Sequence, residues 1–319
     1  MRRLPKAYLG VLILIFLFII FVIRPSNLSA EPEDISQNDV TKLPRSIGQE
    51  NLYSDQLSYL MINTETKQTL ASLNQDQKRA PASTTKLLTG LVILKVLKPE
   101  DRVKVGNEVI VDGSGIGLRP GDEITVQELL KAMYIVSAND AAAALAVKAS
   151  GSLEAFSDSM NKMAKSLGCT NSNFTTPHGL PALDQYTNAK DMTKIALAFI
   201  QNKDLMKYVK KKKATIQWKN ANGGSRSVAV TNTNQLLNVY PGDIGLKTGT
   251  TQEAGQCLIT YVEKPDGSIL LALLGSKQRY KDTVELLDDG YAMLRADMAA
   301  KNLLMDPRTL VKSTGFFAP

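Results

Sequence analysis

Strand-like segments stand at both ends of residues 51–300, with helical segments between them, and this order restricts the possible folds most. Near the start, "LSYLMIN" and "TLASLN" flank "TETKQ", a hairpin with a short turn. Near the end comes "GLKTGTT", then "GQCLITYVE" and "SILLALLGS", the last two joined by the turn signal "KPDG". Two terminal groups of strands can form one antiparallel sheet with helices packed on its faces. The expected fold is therefore α+β, with a mostly helical middle region. There, "KLLTGLVILK" places Leu87, Leu88, Leu91, Val92 and Lys95 at helical spacing. The segment "RVKVGNEVIVDGSGIGLRPGDEIT" reads as glycine-rich and strand-like, and Thr125 with Glu128 forms a capping box for "VQELLKAMYIV". "NDAAAALAVKAS", "SLEAFSDSMNKMAKSLG", stopped by Gly168, and "NAKDMTKIALAFIQN" read as further helices, and "DTVELLDDGYAMLRADMA" as a closing amphipathic one. The sequence shows no internal repeat.

The N-terminus addresses location. Arg2, Arg3 and Lys6 precede an apolar run from Ala7 to Ile23, which Arg24-Pro25 closes. As a helix this run reaches roughly 25 Å, slightly less than a hydrocarbon core. It is longer than most cleaved signal cores, and its best cleavage site, "LSA", puts leucine where a small residue is preferred. Residues 7–23 are read as a membrane anchor, with a cleaved signal as the alternative. Residues 1–6 then stay cytoplasmic and the rest is exported, giving a membrane protein with an extracytoplasmic domain. Residues 24–50 are polar and lack periodicity, a flexible linker; residues 51–300 form the folded domain and 301–319 a short tail.

The formal charge of +7 comes without zinc-finger spacing or an aromatic RNA-binding signature, so nucleic acid is not an expected partner. The basic run Lys207, Lys210, Lys211, Lys212 and Lys213 reads as a solvated face, with attraction to an anionic cell surface as the alternative. Cys169 and Cys257 lack metal-ligand spacing and are read as two buried unpaired thiols, with a disulfide as the alternative in an exported protein. No metal or cofactor is expected.

Three short motifs carry chemistry. The first lies in "RAPASTTKLLTGLVIL". A serine hydroxyl needs a base, and with one histidine in the chain a neutral lysine is the better candidate. Ser83 and Lys86 share a helix face, Pro81 suits the first turn, and free N–H groups there can stabilise an oxyanion. Burial of the following apolar run would lower the lysine pKa. Ser-x-x-Lys alone is weak, since a chain this long holds about one by chance. Indeed Ser159 and Lys162 repeat it among polar neighbours.

The second is Ser137-Ala138-Asn139 between two helices, where the serine could relay a proton and the amide hold a carbonyl. In isolation a simple helix-capping turn is the plainer reading, and Ser36-Gln37-Asn38, Ser72-Leu73-Asn74 and Ser159-Met160-Asn161 match the same pattern. The third is Lys247-Thr248-Gly249 on a late strand, which occurs once. Its lysine offers positive charge for a carboxylate and could depress the pKa of Lys86, and Gly249 leaves room for a ligand backbone. An edge-strand lysine is the plainer reading.

The three motifs in this order are those of penicillin-binding proteins and active-site-serine β-lactamases. The chain resembles the serine-type D-alanyl-D-alanine carboxypeptidases through "PASTTKLLTG", "YIVSANDAAAALA", "FTTPHGLPALDQYTNAKDM" and "DIGLKTGTTQEAGQC". The resemblance implies a β-lactamase/transpeptidase-like fold. It makes Ser83 the acylated nucleophile, Lys86 its base and Ser137 a proton shuttle, with Asn139 and Lys247 binding substrate. The N–H groups of Ser83 and Thr250 would form the oxyanion hole, and Thr248 and Gly249, with Thr250, would bind substrate beside Lys247. Arg279 in "GSKQRYKD" would lie near the terminal carboxylate, while His178 in "PHGL" is assigned a structural role. The implied partners are peptidoglycan stem peptides ending in D-Ala-D-Ala, β-lactams as inhibitors, and the membrane through the N-terminal segment.

Many members of the family carry a second, all-β domain and a C-terminal amphipathic anchor. Here the sequence ends soon after the catalytic region and its apolar run is N-terminal, so functions resting on that second domain are not expected. The leading expectation is a carboxypeptidase, beside a D,D-endopeptidase or weak transpeptidase. A β-lactamase would need a deacylating base, and no Glu-x-x-Leu-Asn segment lies between Asn139 and Lys247. A silent cell-wall binding protein is disfavoured by the intact motifs.

Overall fold

The computed structural model describes residues 56–305. The expected anchor and linker and the end of the tail lie outside the described residues. A hairpin of β1 (Ser58–Asn63) and β2 (Thr69–Leu73) leads through a 3-10 turn at Ala82–Thr85 into α1 (Lys86–Val96). Next come β3 (Arg102–Lys104), β4 (Glu123–Thr125), α2 (Val126–Ile135), α3 (Asn139–Ser150) and α4 (Leu153–Ser166). α5 (Ala189–Ile200) and α6 (Lys203–Val209) precede a hairpin of β5 (Lys213–Lys219) and β6 (Ser225–Thr231). The chain then forms α7 (Leu236–Val239), β7 (Asp243–Thr251), β8 (Gly255–Lys264), β9 (Gly267–Ser276) and α8 (Arg279–Met305).

The terminal strands do combine as expected: an antiparallel five-stranded sheet has the order β2-β1-β9-β8-β7. Its central strands are apolar on both faces because each face meets helices. On one face Leu60, Ile62, Ile259, Leu270 and Ala272 join the larger core with α1, α2, α3 and α5. On the other, Met61, Leu258, Val262, Leu271 and Leu273 pack with Tyr280, Leu287 and Tyr291 of α8. That helix extends to Met305, into the stretch read as tail.

The middle region departs from the expectation. It contains a second sheet, ordered β3-β4-β5-β6, and the β5–β6 hairpin has no counterpart in the sequence reading. This sheet is one-sided, so few of its residues are buried: Val103 on β3, Ile124 on β4, Ile216 and Trp218 on β5 and Val230 on β6. So sparse a pattern reads as polar chain. The glycine-rich segment is strand only at its ends, and its centre is a loop in which Gly113, Gly117 and Gly121 take positive φ. Half of the expected capping box forms: Thr125 Oγ1 accepts from Glu128 N at 3.3 Å. The Glu128 carboxylate does not complete the box; it accepts from Lys131 Nζ at 2.5 Å and from Gln217 N of β5 at 3.1 Å. Gly168 closes α4 as expected, at φ +79°. Both cysteines are free; Cys257 is buried as expected, whereas Cys169 is only partly so. Among the described residues, no helix is long and apolar enough to cross a membrane.

Candidate active site

The turn before α1 presents Ser83. Pro81 caps it, and Thr84 Oγ1 donates to Pro81 O at 2.5 Å. Ala82 takes φ +45°, a left-handed conformation that costs a non-glycine residue about 1 kcal/mol or more and often marks a functional site. Lys86, first residue of α1, is wholly buried. Its Nζ lies 2.8 Å from Ser83 Oγ, 2.7 Å from Asn139 Oδ1 and 2.8 Å from His178 O. Tyr134 OH donates to Lys86 O at 3.0 Å, which holds the first turn of the helix in place.

Burial lowers the Lys86 pKa well below its ordinary value, and the positive charge of Lys247 lowers it further, against Asp140, which raises it. A neutral amine has two N–H groups and one lone pair. The oxygens of Asn139 and His178 can only accept, so they take both hydrogens. When the amine is neutral, its lone pair faces Ser83 Oγ, 2.8 Å away, whose hydroxyl then donates to it. This is the arrangement a general base requires.

Asn139 and Asp140 organise the glycine-rich loop. Asn139 Nδ2 donates to Asp112 O at 2.7 Å and its backbone N to Ser114 O at 2.6 Å. Asp140 Oδ2 accepts from the backbone N–H groups of Ile116, Gly117 and Leu118 at 3.0, 3.0 and 3.1 Å. A Cβ on Gly113 would come 2.9 Å from Asn139 Nδ2, and one on Gly115 would come 2.8 Å from Asp140 Oδ2. The glycines thus let the backbone close over these side chains. Asn139, expected to hold substrate, uses its Oδ1 to hold the base. Ser137 stands two residues earlier, buried, at φ +61°. A cavity of about 520 Å³ bounded by residues 109–112, 118–120 and Leu180 adjoins this loop.

β7 forms the opposite wall. A Cβ on Gly249 would lie 2.8 Å from Ser83 N and 2.9 Å from Ala82 Cβ, so the space this glycine leaves is filled by the Ser83 turn itself. Ser83 N–H is thereby placed beside Gly249, one residue before Thr250. Lys247 is buried, with Nζ donating to Thr248 O at 2.8 Å. Its pKa is lowered to about 7 by burial and by Arg279. Thr248 Oγ1 lies 3.1 Å from Thr233 Oγ1 and is engaged there. Arg279 braces the strand end: NH1 donates to Gly249 O at 2.9 Å and Cys257 O at 3.1 Å, and NH2 donates to Thr250 Oγ1. Ser83, Lys86, Asn139 and Gly249 are therefore in direct contact or packed together. Thr250 joins them through Arg279, Lys247 acts on Lys86 through its charge, and Ser137 is joined by chain connectivity.

Sequence reasoning missed the main role of the "PHGL" loop. His178 contributes its backbone carbonyl to Lys86, and Thr89 Oγ1 donates to Pro177 O at 2.6 Å. A Cβ on Gly179 would overlap Ala82 O, so the glycine, at φ +82°, lets the loop seat against the nucleophile turn. The His178 ring is neutral, its pKa lowered to about 3 by burial and then Lys86. A main-chain acceptor leaves no residue-type signal; the invitation was the glycine after the histidine.

Comparison with known proteins points the same way. Residues 47–278 match the family described as D-alanyl-D-alanine carboxypeptidase (Peptidase_S11). The chain is 35% identical over 246 residues to D-alanyl-D-alanine carboxypeptidase DacF of Bacillus subtilis, covering 74% of this chain and 62% of that protein. It is 33% identical over 255 residues to DacA of Escherichia coli, covering 74% and 61%. The chain thus spans a little over three fifths of the length of these relatives. Among solved structures, the Streptomyces K15 DD-transpeptidase superposes with a TM-score of 0.69 at 29% identity, over 73% of this chain and 96% of that one.

Proposed function

The chain belongs to the D-alanyl-D-alanine carboxypeptidase family, and from that premise we propose that it removes the terminal D-alanine of peptidoglycan stem peptides through an acyl-enzyme on Ser83. The observation that carries the reading is the position of Lys86 Nζ. Two acceptor-only oxygens occupy its hydrogens and leave its lone pair for the Ser83 hydroxyl.

In acylation, Lys86 Nζ takes the Ser83 proton as Oγ bonds to the penultimate carbonyl carbon. The oxyanion forms beside the N–H groups of Ser83 and Thr250. The proton passes by way of Ser137 to the leaving nitrogen, the C–N bond breaks and D-alanine departs. Water, deprotonated by the same amine, then cleaves the ester and restores Ser83. Lys247 draws in the terminal carboxylate, whose negative charge raises the lysine pKa and keeps it protonated. A β-lactam follows the first half of this path, but its leaving nitrogen stays tethered by the opened ring. Export and membrane anchoring complete the proposal, supported by Arg2, Arg3 and Lys6 ahead of the apolar run 7–23 and by a substrate that lies outside the cytoplasm.

The resemblance to a DD-transpeptidase supports a second outcome, in which an amine instead of water takes the acyl group. Mass spectrometry of muropeptides incubated with the protein separates the outcomes. Free D-alanine with shortened monomers is expected. New cross-linked dimers would mark transpeptidation, and loss of existing dimers an endopeptidase. No change with any muropeptide would overturn the proposal.

A further inference from the structure

Side chains alternate across a strand, so a single irregularity decides which face every later residue meets. β7 contains one. Asp243 pairs with Val262 and Gly245 with Tyr261, so two steps on β7 match one on β8 and Ile244 is the extra residue of a bulge. From Gly245 the ladder is regular through Thr251. Paired residues share a face. Lys247 and Gly249 pair with Ile259 and Cys257, which belong to the core beneath Ser83. Asp243 pairs with Val262, which belongs to the core under α8. In a regular strand Asp243 and Lys247 would share a face. The bulge places them on opposite ones.

The Asp243 carboxylate holds this bulge closed. Oδ1 accepts from Gly245 N at 3.1 Å and from Thr260 Oγ1 at 2.6 Å, and Oδ2 accepts from Asn234 Nδ2 at 3.4 Å. None of these partners is a cation. Gly245 takes φ +91°, and a Cβ there would come 3.0 Å from Val209 O, so the kink is also pressed against the end of α6. The neighbouring Thr233 reaches Thr248 and donates its backbone N–H to Ile135 O at 3.0 Å.

We propose that Asp243 is a positioning residue for Lys247, latching the bulge at Ile244 that turns the lysine toward Ser83. The inference rests on the reading that Lys247 receives the substrate carboxylate. It deepens that reading, because it names what aims the receptor.

The test compares two thioester acyl donors that differ only at the terminus, a free carboxylate in one and a carboxamide in the other. In Asp243→Ala, kcat/KM for the carboxylate donor should fall about tenfold or more, the scale of a lost contact to a charged group. The carboxamide donor should change by less than about twofold on the same scale. Asp243→Asn keeps an oxygen for Gly245 and Thr260 and should retain most of the discrimination. Thr260→Val, which removes one donor at nearly constant volume, should shift the ratio in the same direction and tests the latch if Asp243→Ala folds poorly. Equal loss for both donors, or no loss for either, would overturn the proposal. Wild-type protein that is acylated by neither donor at Ser83 would overturn the functional reading itself, which is a separate result.

Discussion

Ser83-x-x-Lys86 and Ser159-x-x-Lys162 present the same four-residue pattern in two regions of one molecule, and the fold treats them differently. Ser159 lies inside α4, where its Oγ donates to Ala155 O at 3.0 Å, a local bond that serves the helix. Lys162 is exposed to water. Ser83 stands on a turn ahead of α1, and Lys86 is buried among two carbonyl oxygens, a neighbouring cation and a serine hydroxyl. Equal spacing therefore supplies only the same offset along the chain, and even the approach of oxygen to nitrogen is found in the first pair alone. Reactivity requires desolvation and acceptors that use up the amine hydrogens.

The largest contrast should come from the serines. Ser83→Ala is expected to abolish D-alanine release and covalent labelling by a fluorescent penicillin, and Ser159→Ala to leave both intact. Labelling that survives Ser83→Ala would erase the distinction. The lysines come next. Lys86→Met should slow acylation by about 10²–10⁴-fold, the usual contribution of a positioned base, measured by stopped-flow with a chromogenic β-lactam. Lys162→Met should stay at the wild-type rate.

Packing around the first pair is open to a smaller blow. Gly249→Ala forces a Cβ against Ser83 N and Ala82, and displacing the nucleophile by about 1 Å is expected to cost about 10²-fold in acylation. Gly168→Ala, at the end of the helix that carries the second pair, meets nothing within 4 Å and should affect stability only through its positive φ.

Charge sharpens the comparison further. Asp140 raises the Lys86 pKa, so removing its charge lets the amine lose its proton at lower pH. The acid limb of the acylation profile should move down in pH in Asp140→Asn, which keeps an oxygen for the loop N–H groups. An unmoved limb would mean that Asp140 acts on the loop alone.

The smallest effect is on stability. His178 is held neutral in the fold, with a pKa of about 3 against the ordinary 6.5. The unfolded chain binds this proton first as pH falls, so the contribution is fully present above 6.5 and is lost between 6.5 and about 3. In thermal melts, His178→Asn should flatten that part of the pH dependence, whereas a parallel decline would place the acid sensitivity elsewhere.

Legibility followed how local the signal was. The hairpin "LSYLMIN…TLASLN" and the strands "GQCLITYVE" and "SILLALLGS" could be read directly, because burial on both faces writes long apolar runs. β5 and β6 could not, since on these two strands a one-sided sheet needs only Ile216, Trp218 and Val230 buried. At the site, Ser83, Lys86 and Lys247 were readable because their chemistry belongs to their side chains. The roles of His178, which acts through its carbonyl, and of Gly249, which makes room for the Ser83 turn instead of a ligand, were not. Asn139 was found, but its contact with the base was not, since that contact spans 53 residues of sequence.

By itself the sequence settled the membership of the terminal strands in one sheet, the helix that follows Ser83 and the order of the reactive residues. Those properties come from periodicity and from spacing within a single turn. Tertiary structure alone buried Lys86, brought the charge of Lys247 to bear on it and supplied the two carbonyls that direct its lone pair. The reason is that a lysine pKa depends on the medium and charges within a few ångströms, and three separate chain segments must meet before that medium exists.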